Sequence, residues 1–227
     1  METVIAGLQR CALTAGLSQD TLEKIIFPAG RISEYPKNAA VFQMQERVTE
    51  IKVLLRGKVN LCYYTKDGAR NLHGSLLPSG IVGLDLICTK TKISPYMAIA
   101  AEDSCIFSFP SELILRLGKL PEAERLGCLD RLLQLLSDLN MKKEYRIAIL
   151  TQPGLRDRVL TYLTMQANRR QTSTFAIPFN RDEMASFLGV NRSALSHELG
   201  KLKQEGIIDF EHNRFHLLKS DFSPVGS

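Results

Sequence analysis

Residues 180–218 read NRDEMASFLGVNRSALSHELGKLKQEGIIDFEHNRFHLL, and this stretch decides the fold. Asn180 precedes a short apolar pattern, and Glu183 follows three residues later. In that pairing the cap side chain and the helical carboxylate each satisfy the other's backbone donor. Met184, Ala185 and Leu188 fall on one side of the helix that begins there. Gly189 supplies a tight turn, Val190 plugs the core, and Asn191 caps a second helix over residues 192–204. The apolar positions of that helix are Leu195, Leu199 and Leu202, and Gly206 sits just past its end as a stop. Two short β-rich runs, IIDF and RFHLL, flank Glu211-His212-Asn213. The pattern predicts a helix-turn-helix followed by a β wing.

The second helix carries Arg192, Ser193, Ser196, His197 and Gly200 on a stripe opposite its leucines. Donors at a helix N-terminus, with small residues between them, suit the floor of a DNA major groove. Gly200 allows close approach, and Lys201 and Lys203 flank the stripe, where they can reach phosphates. A bare helix-turn-helix pattern is weak, because an ordinary helical hairpin also has a polar face. The cap, the glycine turn, the buried spacing, the stripe and the wing together point to double-stranded DNA.

Upstream, LRDRVLTYLTMQANRR (155–170) reads as a helix, followed by the polar loop QTSTFAIPF. Thr151-Gln152-Pro153-Gly154 breaks the chain before it and is the natural hinge. From Pro121 to the hinge runs one long helix. Its positions 126, 129, 133, 136, 140, 143, 147 and 150 step by three and four and read Leu, Leu, Leu, Leu, Asn, Lys, Ile, Leu. That is the spacing of a coiled-coil seam, and it predicts a homodimer, with Asn140 and Lys143 interrupting the seam and fixing its register. A second apolar frame, Leu132, Leu135 and Leu139, can pack on the preceding domain. The competing expectation is a core helix of a single globule.

Residues 1–25 read as a helical lead-in with Leu8, Leu13, Leu17, Leu22 and Ile25. From about 30 to 110 short strands take over, with β-rich runs at 48–55, 58–64, 69–77, 96–101 and 104–110. Gly57, Asp67-Gly68 and Pro78-Ser79-Gly80 punctuate them, and Asp-Gly between two apolar runs signals a hairpin. Many short strands at this spacing suggest a sandwich or small barrel. The expected fold class is α+β, with an N-terminal β-roll over residues 1–120, a dimerisation helix and hinge over 121–153, and a winged helix-turn-helix over 154–227.

Composition bounds the function. The 227 residues are 44 % hydrophobic and 23 % charged, which is a soluble globular balance. No apolar run reaches the ~18 residues of a membrane span, and the first residues are too polar for a signal peptide. The five cysteines (11, 62, 88, 105 and 128) are scattered and odd in number, so no disulfide framework is expected and a cytoplasmic location fits. The net charge is +5, spread as +3, 0 and +2 over the three segments, so total charge alone decides nothing. No nucleophile–base motif or phosphate-cradling glycine loop is present, and a catalytic function is not expected. A cupin-type metal enzyme needs several histidines among the strands, but of the four only His73 lies there.

LGVNRSALSHELGKLKQEGII resembles the LGxSRxTVSRxLxxLxxxGLI segment of the cAMP receptor protein/FNR family of bacterial transcription regulators. The resemblance covers nearly the whole chain. It implies a sensor roll of the cyclic-nucleotide-binding type, a dimerisation helix, a palindromic DNA operator and RNA polymerase as a further partner. Arg192 falls on the family's DNA-reading arginine. Ser193 stands where many members have Glu, and His197 where most have Arg, so the usual operator sequence is not expected.

The sensor departs further. Cyclic-nucleotide binders of the family hold the ribose with a Gly-Glu pair and the phosphate with an Arg-Ser or Arg-Thr pair. In VGLDLICTKTKISPY (82–96) Gly83 remains, Leu84 replaces the glutamate, and Ser94-Pro95 replaces the arginine pair. Asp85 is one residue off and would point the other way on a strand. The effector is therefore expected not to be cAMP. Where family members bind ligand, between roll and helix, the contacts expected here are Leu84, Ser94 and Tyr96 from the roll and Asn140, Lys143 and Glu144 from the helix. The family's iron–sulfur branch clusters cysteines near the N-terminus, where this chain has only Cys11. No cofactor or metal site is assigned. A haem on His73 stays open beside the plainer reading of a structural or surface histidine. A cyclic-nucleotide-binding-like regulatory subunit acting on a protein partner is the alternative function.

Overall fold

The computed structural model describes residues 1–64 and 70–218. The Asp67-Gly68 turn and the His73 side chain lie outside the described residues. The chain packs as two compact units, Met1–Met141 and Lys142–Ser227. The division falls inside the long helix.

The first unit opens with helix α1 (Glu2–Arg10), the short α2 (Gln19–Thr21) and a π-helical turn over Leu22–Ile26. Ser18 caps α2 by accepting from the Thr21 amide. Eight strands follow: β1 (Arg31–Tyr35), β2 (Ala40–Phe42), β3 (Glu50–Arg56), β4 (Val59–Tyr64), β5 (Arg70–Leu76), β6 (Ile81–Val82), β7 (Met97–Ala100) and β8 (Ser104–Pro110). They form two antiparallel four-stranded sheets, ordered β1-β8-β3-β6 and β2-β7-β4-β5. Alternation along the strands sorts two cores. Leu54 and Ile106 join Phe42, Val59, Tyr96 and Ala98 between the sheets. Ile51, Val53, Phe107 and Phe109 face the other way and pack against the helical segments. This is the expected β-roll.

Helix α3 (Glu112–Leu115) leads into α4 (Glu122–Leu150), which follows Pro121 and carries Glu122 and Glu124 in its first turn. Carboxylates there oppose the positive end of the helix dipole. Cys128 and Leu132 are buried in the helical core, and Leu129, Leu135, Leu136 and Leu139 pack partly into it. The seam read from the sequence is thus divided. Leu129 and Leu136 are committed to their own unit, because the roll's core reaches across to them. Leu126, Leu133 and Ile147 remain 53 %, 66 % and 55 % exposed.

The second unit holds the end of α4, then α5 (Leu155–Arg170), β9 (Thr174–Ala176), α6 (Arg181–Phe187), α7 (Arg192–Gln204), β10 (Ile208–Glu211) and β11 (Arg214–Leu217). The three strands pair antiparallel in the order β10-β11-β9. Strand β9 lies in the stretch expected to be a loop. It pairs with the distant β11, through the Phe175–Phe215 register. Leu195, Leu199 and Leu202 are fully buried, and truncating one to alanine costs about 2–5 kcal/mol. Among the described residues no helix is long and apolar enough to cross a membrane.

Candidate functional site

The α6–turn–α7 geometry follows from its caps. The Asn180 side chain accepts from the Glu183 amide at 2.9 Å, and the Glu183 carboxylate accepts from the Asn180 amide at 3.0 Å. Gly189 turns the chain at φ +70°, where a side chain would be strained. Asn191 Oδ1 then accepts from the Ala194 amide at 2.8 Å and starts α7. Met184, Ala185 and Leu188 are buried, while Val190, expected as a core plug, is half-buried.

With Leu195, Leu199 and Leu202 inward, Arg192, Ser193, Ser196, His197 and Lys201 are exposed together. Gly200 has open space where a Cβ would stand. Two of these groups are engaged inside the unit. The Ser193 hydroxyl donates to Asn191 Oδ1 at 2.8 Å, so it is turned back to the cap. Arg192 Nη1 donates to Asp182 Oδ2 at 3.1 Å, from the first turn of α6.

Lys203, expected to reach phosphates, also has partners within its own unit. Its ammonium lies 2.6 Å from Asp209 Oδ1 and 5.2 Å from the centre of the Phe210 ring. Arg181 lies over the same ring at 4.7 Å and over Phe215 at 5.2 Å. Partial burial lowers the Arg181 pKa. Phe210 is therefore held by one cation from each helix of the motif, a favourable arrangement for a partly desolvated cation over an aromatic face. Arg181, Asp182 and Asp209 escaped the sequence reading because their partners lie on other elements. The neighbouring basic and aromatic residues gave no periodic signal.

In the roll, Leu84 is buried in the helical core. The Ser94 hydroxyl donates to the Tyr96 carbonyl at 2.6 Å and accepts from its amide at 3.3 Å. The Tyr96 ring packs against Phe42 and Tyr63, with centroids 5.8 and 5.9 Å away. A Cβ on Gly83 would come within 3.2 Å of Phe42. Leu84, Ser94 and Tyr96, expected to line a ligand site, are thus committed to packing and internal hydrogen bonds. On α4, Asn140 and Glu144 are exposed and Lys143 is half-buried.

Cys11, Cys62 and Cys128 are buried, Cys105 is half-buried and Cys88 exposed. Burial raises the Cys11 thiol and pushes Cys105 and Cys128 up to about 11.

Residues 32–119 match the cyclic nucleotide-binding domain family, and residues 157–221 match the Crp-like helix-turn-helix domain family. The chain belongs to the CRP/FNR family. It is a transcription regulator with a helix-turn-helix DNA-binding domain. Transcriptional activator protein FnrL of Cereibacter sphaeroides is 26 % identical over 226 residues, covering 94 % of this chain and 84 % of that one. Transcriptional activator protein anr of Pseudomonas aeruginosa is 24 % identical over 207 residues, covering 88 % and 81 %. Among solved structures, FixK2 from Bradyrhizobium japonicum superposes with a TM-score of 0.64 at 17 % identity, over 85 % of this chain and 94 % of that one. Within this CRP/FNR chain the residues present do not fit a cyclic nucleotide. Leu84 offers the ribose no acceptor, and the Ser94 hydroxyl is already spent on backbone.

Proposed function

We propose that this CRP/FNR chain acts as a homodimeric, sequence-specific regulator whose response is set by an effector other than cAMP. One observation carries the reading. Helix α7 turns Arg192, Ser196, His197 and Lys201 outward while its leucines are fully buried. An exposed arginine at a recognition-helix N-terminus can contact guanine O6 and N7 with two donors.

The dimer rests on Leu126, Leu133 and Ile147, which are spaced by multiples of seven residues and stay exposed. Two recognition helices related by a twofold axis read a palindromic operator with half-sites about 34 Å apart. Asn140, Lys143 and Glu144 are the proposed effector contacts. In the roll, Leu84, Ser94 and Tyr96 are packing that an effector would have to disturb. An effector shifts the regulator only by binding its two states unequally. Work on DNA in the cytoplasm, RNA polymerase as a partner and the absence of a catalytic role belong to the same reading.

Genome-wide mapping of crosslinked DNA tests it. Discrete sites sharing an inverted repeat, with a guanine in each half, are expected. Binding without any shared repeat would contradict it.

A further inference from the structure

We propose that Asp182 is a specificity-determining positioning residue that acts through Arg192. The proposal rests on the DNA-reading role given to Arg192 above. Asp182 is the second residue of α6, and its Oδ2 lies 3.1 Å from Arg192 Nη1 on α7. Helix capping does not account for it. The capping box at this end uses Asn180 and Glu183, both already bonded. Asp182 instead reaches across the turn to the arginine proposed to read a guanine.

A guanidinium carries five donors in a fixed fork, and a bidentate contact to guanine uses one edge of it. A carboxylate on another edge fixes the plane of the fork and leaves the reading edge free. The same negative charge stands beside any approaching backbone phosphate and repels it. Asp182 also competes for Arg192 whenever the arginine would otherwise swing to a phosphate. The repulsion acts on any duplex alike, whereas the competition for Arg192 weakens binding to arbitrary duplex more than binding to the right base pair. Specificity is that difference of affinities, and an element that disfavours the wrong partner raises it. About two-thirds of each side chain is exposed. Pairs this exposed contribute little to folding, so a variant at Asp182 retains its fold.

The test measures affinity for the selected operator and for a random-sequence duplex in wild type, Asp182→Asn, Asp182→Glu, Arg192→Ala and the Asp182→Asn/Arg192→Ala double variant. Asp182→Asn is expected to bind random duplex about 3- to 10-fold more tightly and to lose about tenfold in the operator-to-random ratio. Asp182→Glu should restore the ratio. In the Arg192→Ala background, Asp182→Asn should leave the ratio unchanged, because the two residues act as a unit. If Asp182→Asn keeps the wild-type ratio while Arg192→Ala loses it, the role of Asp182 is overturned and the reading by Arg192 stands. If Arg192→Ala itself keeps the ratio, both are overturned.

Discussion

The Tyr96 hydroxyl donates to the Asp85 carboxylate at 2.5 Å, in a roll where Tyr96 is only 2 % exposed. Burial and the neighbouring carboxylate both raise the phenol's pKa, so it stays a donor at any physiological pH. The ring fills space between the two sheets, and the hydroxyl satisfies Asp85, the acid one residue beyond the family's ribose-binding position. Titration with cAMP by calorimetry, to millimolar concentration, should show no saturable heat. A micromolar dissociation constant would contradict the closed interior.

Leu126 and Leu133 lie on α4 two turns apart and are more than half exposed. They give a cleaner test of dimerisation than Leu136, which packs into its own unit's core. Leu126→Asp/Leu133→Asp should sediment as a folded monomer, because each aspartate would have to be desolvated in the seam. Retention of the dimer would place the interface elsewhere.

Lys203 joins the wing to α7 through Asp209 and the Phe210 face. Lys203→Ala should therefore do more than remove one phosphate contact. A lost phosphate contact alone lowers the salt slope by about one and leaves the footprint in place. A released wing should also weaken hydroxyl-radical protection at the outer flanks of each half-site while the centre stays protected. An unchanged footprint would show that Arg181 holds Phe210 unaided.

Glu50 on β3 accepts from the Lys52 ammonium at 2.9 Å and pairs with Arg31. Burial alone pushes its carboxyl up, but the ammonium and the guanidinium together hold it below its ordinary value. A folded pKa below the unfolded one stabilises the fold above the unfolded value of about 4.3. That contribution is lost as pH falls through the folded value. Glu50→Gln should destabilise the first unit by about 1–3 kcal/mol at pH 7, since Lys52 is only 7 % exposed and loses its carboxylate. Chemical unfolding should show the gap to wild type closing as the pH drops below about 4. A gap independent of pH would mean the loss is steric.

The motif at 180–218 was legible because its signals are local. Asn180, Glu183, Gly189, Asn191 and Gly206 each act within a few residues, and α7 occupies the predicted residues 192–204. Strand β8 was legible for the same reason, as a β-rich run over Ser104–Pro110. Strand β9 was not, because a run of three residues is too short for its alternation to stand out, and the strand is defined by its pairing with β11. The face of α4 was half legible. Spacing alone marks eight seam positions, and only the packed roll shows that Leu129 and Leu136 are taken from them. The pairings Arg192–Asp182 and Lys203–Asp209 depend on how two elements meet, which residue spacing does not encode. The closed state of Ser94 and Tyr96 is equally a property of packing. A serine and a tyrosine suit a ligand site as well as a filled interior.

Arg192 remains the residue on which the account turns. Selection of binding sites from random DNA by wild type and by Arg192→Ala tests its role most directly. Wild type should select one strong guanine in each half-site, with looser neighbours, because Ser193 is bonded back to Asn191 and the His197 ring is shorter than an arginine. The variant should lose that guanine, a change worth about 1–3 kcal/mol of discrimination. Recovery of the same motif with equal sharpness from Arg192→Ala would show that Arg192 does not read bases.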